Sequence, residues 1–224
     1  MSALHSIKKF LSIGALAAAV LFPAAAKADF FVWQNEEENI SLSFPDRWAL
    51  VSNLGHDEIL RIAAPSITGR YDEAQCRMRV RDDLRFSMHP RSNSRALQRV
   101  HFGTSFWDAY MNEFEYAQIN GFYNDAGVGR GFASHVDITF ESFENPRMLR
   151  RGIAFVSLYE NKVHIFECSA EESAYARWHS SFLDILKSVD FKGNEALYRN
   201  GYYRNFYDEK RMLRGMRVQD DYTF

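Results

Sequence analysis

The chain has little of what marks most enzymes. It holds no GxSxG turn to present a nucleophilic serine, and no Ser, His and Asp cluster in a recognisable context. Beyond residue 28 its histidines are His56, His89, His101, His135, His164 and His179, and none stands in HExxH or another metal-ligand spacing. His135 and His164 could face each other across neighbouring strands, but a strand-face histidine is more often a surface residue. Only two cysteines occur, with no CxxC, which argues against a redox-active thiol site. No basic excess is present, which argues against a nucleic-acid binder. Repeats and low-complexity tracts are absent, and no stretch beyond residue 28 is long and apolar enough to cross a bilayer. No cofactor or metal is expected.

What is there begins with an address. Lys8 and Lys9 precede "FLSIGALAAAVLF", an apolar run too short for a membrane span. "AAAKA" follows, with Ala26 and Ala28 at the small-residue positions a signal peptidase requires. Cleavage after Ala28 is expected, giving a mature chain from Asp29. No cysteine lies near that site, so a bacterial lipid anchor has no attachment point. Loss of Lys8, Lys9 and Lys27 reduces the basic residues from 27 to 24 against 29 acidic ones, a net charge of −5. The remaining length fits one domain over 29–192, with 193–224 as a tail.

Export gives the cysteines a context. In an oxidising compartment two thiols tend to pair, and Cys76 and Cys168 both sit in apolar strand patterns. A Cys76–Cys168 bridge is expected, with two separate buried thiols as the alternative.

The strand patterns are short and alternating. "NISLSFPDRW" (39–48) places Ile40, Leu42 and Phe44 on one face before a Pro45-Asp46 turn. "EILRIAAP" (58–65) ends at Pro65. "QCRMRVRDD" (75–83) sets Cys76, Met78 and Val80 against Arg77, Arg79 and Arg81, the cleanest period-two pattern in the chain. A helical region starts near Ser94, breaks at Gly103, and places Phe106, Tyr110, Phe114 and Ala117 on one face. "INGFYNDAGVGRG" (119–131) reads as turn-rich. Its "GVGRG" lacks the following helix that a phosphate-cradling loop needs, so a hairpin turn is the expectation. Three segments, 132–143, 148–159 and 162–168, form an antiparallel meander. Ser169 with Glu172 reads as a capping box for a helix bearing Tyr175, Trp178, Phe182, Ile185 and Val189, and "SVDF" closes the domain. Asp82 and Asp83 point to opposite faces as adjacent strand residues and cannot jointly flank one bond.

Taken together, "FPDRW" (44–48), "LRIAAP" (60–65), the central meander and "FLDILKSVDF" (182–191) resemble the superfamily of PsbP-like, Mog1-like and DcrB-type bacterial envelope proteins, over about 40–191. The resemblance implies an α+β fold, an antiparallel sheet with helices packed on both faces. It transfers no catalytic residue, because members bind different macromolecules. The tail lies outside the pattern, and the lipid anchor typical of DcrB-type relatives has no cysteine here.

Two polar features remain as partner-binding candidates. The stripe Arg77, Arg79 and Arg81 repels itself unless acids or an anionic partner offset it. Cross-strand acids such as Asp137, Glu141 or Glu167, or a solvated face, are the structural alternative. In the tail, Tyr202, Tyr203, Arg204, Phe206 and Tyr207 mix aromatics with arginine, as interfaces do. A tail packed on its own domain is the other possibility. The chain therefore reads as an exported, non-catalytic envelope protein that binds another protein, with assembly or stability of an envelope complex as a role. A module for a small ligand or anionic surface, and a hydrolase with a site assembled from distant residues, are the other classes open.

Overall fold

Alternating apolar residues become strands here wherever a second layer waits to cover them. The computed structural model describes residues 29–65, 74–83, 95–129, 131–142, 148–159 and 161–192. In chain order the elements are β1 (Phe30–Asn35), β2 (Ile40–Pro45), β3 (Ala49–Leu50), β4 (Glu58–Ala63), β5 (Gln75–Asp82), α1 (Arg95–His101), α2 (Thr104–Met111), β6 (Ala117–Val128), β7 (Gly131–Glu141), β8 (Leu149–Tyr159), β9 (Lys162–Glu171), α3 (Tyr175–Lys187) and β10 (Asp190–Phe191). The described strands form a large antiparallel sheet, β3-β4-β5-β9-β8-β7-β6, and a small one, β1-β2-β10. This is the α+β arrangement expected, with helices on both faces.

The period of two sends alternate residues of the large sheet into two separate cores. On one face, Met78, Ile153, Phe155 and Phe166 meet Trp178, Phe182 and Ile185 of α3 and Ile40, Leu42 and Phe44 of β2. On the other, Val136, Ile138, Ala154, Val156 and Ile165 meet Phe102, Trp107, Tyr110 and Phe114. Each such large side chain contributes about 1.5–3 kcal/mol on burial. The indole N–H of Trp107 donates to Ser134 Oγ at 2.9 Å, so a fully buried tryptophan keeps its polar atom satisfied.

Several local readings change. Segment 119–131 is not a loop: β6 runs through it to Val128, with register shifts between Ile119 and Gly121 and between Tyr123 and Ala126. Its Gly and Asn residues serve bulges in a long strand. The hairpin turn falls at Gly129, whose φ of 58° and closeness to Phe191 (2.1 Å from an added Cβ) exclude other residues. The capping box is absent, because ladder bonding to β5 and β8 carries β9 on to Glu171 and α3 begins at Tyr175. Ser169 Oγ instead accepts from Arg150 Nε at 3.2 Å. Helix α2 stops at Met111, so Phe114 reaches the core from the following turn. The periodicity also passed over β1 altogether. The leader 1–28 and the tail 193–224 with Tyr202, Tyr203, Arg204, Phe206 and Tyr207 lie outside the described residues.

Candidate functional site

The arginine stripe lies on the α2 side of β5, where four acids from three places in the chain meet it. Arg77 pairs with Glu167 of β9 at 2.8 Å and stands 3.6 Å from Glu58. Tyr110 of α2 also donates its hydroxyl to Glu167. Arg79 contacts Asp57 at 2.9 Å and Glu113 at 2.6 Å, and Arg81 bridges the same two carboxylates. Guanidinium planes lie over the Phe114 and Tyr110 rings at 5.8 and 5.6 Å. Of the acids named from the sequence, Glu167 is a partner. Asp137 and Glu141 project from the other face of β7, opposite to Val136, Ile138 and Phe140. The additional partners, Asp57 and Glu113, sit in turns that no strand periodicity locates. The Arg77 and Arg79 side chains are each 10% exposed and Arg81 39%, so most of the stripe is spent inside the fold.

Chemically this lattice is a clamp. Asp57 and Glu113 each hold two guanidiniums, tying the β4 approach and the end of α2 to β5. Burial raises the Asp57 carboxyl, but hydrogen bonds from Arg79 and Arg81 outweigh it and hold it at about 2, against an ordinary 3.8. Glu113 is held below its ordinary 4.5 in the same way: burial pushes it up, and Arg79 and Arg81 pull it further down. Carboxyls depressed in the folded state stabilise it fully above their unfolded pKa, and the contribution vanishes as pH falls through the folded one. The expected result is a steep loss of stability between about pH 4.5 and about pH 2. Asp57→Asn should flatten that slope in denaturant titrations across the window; an unchanged slope would remove the clamp as its cause.

The cysteines are joined: Cys76 and Cys168 are directly opposed in the β5–β9 ladder, Cα atoms 4.0 Å apart, with a disulfide between them. The histidines do not converge. Strand β8 separates His135 from His164. His135 is stacked between Tyr123 and Phe155 at 4.5 Å from each, and His164 is buried, its pKa pushed down to about 3 by desolvation. Among the described residues no three His, Cys, Asp or Glu side chains gather as a metal site, and no helix is long and apolar enough to cross a membrane.

The most unusual surface is one the sequence did not announce. Strand β1, "FFVWQN", carries no charge and no proline and is the outer one of the described strands in the small sheet. Phe30 is 56% exposed, Phe31 46% and Val32 57%. Its hydrogen-bonding directions can be assigned. Asp46 N–H donates to Asp29 O at 3.0 Å, and Phe31, Trp33 and Asn35 oppose Phe44, Leu42 and Ile40. By the alternation of an antiparallel ladder, odd residues of β1 bond β2, while Phe30, Val32 and Gln34 aim N–H and C=O at the open edge. Ser43, opposite Val32, accordingly sends its N–H away from β1, to Ser188 Oγ at 2.8 Å. Edge strands of folded proteins are ordinarily guarded by charge, proline or a bulge, and β1 has none of the three.

No family model matches the chain and no curated protein matches it. Solved structures do. The chain is similar to cyanobacterial PsbP (CyanoP) from Synechocystis sp. PCC 6803, with 12% identity and a TM-score of 0.47, over 75% of this chain and 95% of that one. It is similar to LpqN, involved in cell envelope biogenesis of Mycobacterium tuberculosis, with 12% identity and a TM-score of 0.47, over 72% and 90%.

Proposed function

We propose that this chain is an exported envelope protein that works by binding rather than by turnover, taking an extended segment of another envelope protein onto the open edge of β1. The observation that carries the reading is that edge: three outward-aimed residues and a run of half-exposed apolar side chains, unguarded by charge. Added strands gain affinity from main-chain hydrogen bonds and specificity from alternate side chains. Here Phe30 and Val32 would supply the side-chain contact. Two further features support an extracytoplasmic setting. The leader has the form of an export signal with cleavage after Ala28, and the Cys76–Cys168 bridge suits an oxidising compartment. The arginine stripe is a weaker docking candidate, because its charges are already paired.

Val32→Pro tests the reading. It deletes one N–H that β2 does not use, so the ladder within the sheet survives, whereas an added strand loses its central donor. Capture of the partner from the envelope fraction by the mature chain should fall by at least about tenfold, with the melting temperature unchanged. Undiminished capture by that variant would refute strand addition at β1.

A further inference from the structure

We infer that β1 also pairs with β1 of a second copy of this chain, antiparallel across a twofold axis at Val32, in a weak dimer that a partner's strand displaces. This dimer rests on the reading of β1 as a docking edge and gives that edge an occupant when the partner is absent.

The register follows from which residues face outward. Phe30, Val32 and Gln34 carry the outward N–H and C=O groups, with Val32 at the centre. Placing Val32 opposite its own copy sets Phe30 opposite Gln34 of the second copy, and Gln34 opposite its Phe30. Each of these is a hydrogen-bonded pair that exchanges both bonds, so no outward group of the three residues is left over.

A twofold dimer needs a surface that complements itself, and the side chains here do so. On one face Val32 meets Val32, and Phe30 lies against Gln34. On the other, Phe31 meets Trp33 at non-bonded positions, where cross-strand side chains approach most closely. Aromatic pairs so placed stabilise a sheet. Phe30, Phe31 and Val32, the exposed apolar residues of the strand, gain cover together. Charge fits as well. The strand has none, so no like charges face each other along it. Asn35 falls opposite Asp29 of the second copy. Its Oδ1 already accepts from Glu38 N–H at 3.0 Å, which leaves its amide N–H groups for the Asp29 carboxylate. With cleavage after Ala28, the mature α-amino group of one copy stands beside Glu36 of the other. One strand a side is a small interface, so the pairing is weak, and dilute chain offers its edge free to a partner.

Position 32 lies on the axis, so a charge placed there meets itself. In sedimentation velocity the full mature chain should shift from monomer toward dimer as its concentration rises through the micromolar range. Val32→Lys and Val32→Glu should each weaken self-association by about fivefold, because like charges then stand directly opposite each other. Val32 is 57% exposed, so both substitutions leave the fold intact. An equimolar mixture of the two variants should associate more tightly than either alone, as mixed pairs. A mature chain that stays monomeric, variants that self-associate as well as the parent, or a mixture no tighter than its components would each overturn the dimer. None of those outcomes bears on the Val32→Pro capture test, which is read on dilute chain and judges β1 as a docking edge by itself.

Discussion

Replacing Cys76 and Cys168 together with alanine is expected to cost roughly 4–5 kcal/mol of folding stability. The two residues stand 92 apart in sequence and face each other across adjacent strands. The bridge therefore closes most of the domain into one loop in the unfolded chain, which is where cross-links of this length exert their largest effect. Both sulfurs are also buried, so truncation adds a packing loss to the entropic one. For a domain of this size the melting temperature should drop by about 10–20 °C. Urea denaturation of the oxidised mature chain, the reduced chain and the double variant gives the comparison. The reduced chain and the variant should resemble each other. A loss below about 1 kcal/mol would mean that the pair does not constrain the unfolded chain.

Breaking the buried ion pair between Arg77 and Glu167 is the second large effect. Glu167 is 2% exposed and accepts from both Arg77 and Tyr110. Glu167→Ala removes the main counter-charge and leaves a guanidinium with one-tenth of its side chain exposed. Removing one partner of a buried pair typically costs about 3–5 kcal/mol. Glu58, at 3.6 Å from Arg77, softens the isolation, which places the expectation near about 3. The double replacement Arg77→Met with Glu167→Met removes both charges and fills similar volume. It should recover most of the loss, because desolvation of two ions offsets much of their attraction. A double variant as unstable as the sum of the singles would show that the two charges act independently.

How much of this was readable beforehand depended on what each feature requires. The cysteine pair was legible because both partners sit in regular strands, where alternation puts them on one face, and the export expected from the leader gives them a reason to join. The stripe of Arg77, Arg79 and Arg81 was legible as a stripe. Glu167, in a regular strand, was legible among its counter-charges; Asp57 and Glu113 were not, because they lie in turns, where position follows from the packing of whole elements. Ser169 with Glu172 satisfied a helix-start pattern, yet the ladder between β8 and β9 holds Ser169 in a strand. Tertiary hydrogen bonding won over a local signal. Strand β1 was passed over for a related reason. With Phe30 and Val32 on one face and Phe31 and Trp33 on the other, it shows no alternation, since both sides are apolar. The feature that hid it, an apolar outer face, is the one that makes it a candidate interface.

Residue-resolved amide hydrogen exchange along β1, in the mature chain and in its complex recovered from the envelope fraction, tests strand addition most directly. Phe31, Trp33 and Asn35 already bond β2 and should be protected in both states. Phe30, Val32 and Gln34 should become protected when the partner's strand pairs with β1. Exchange at those three amides as fast in the complex as in bulk solvent would contradict the account, because no strand could then be bonded to that edge.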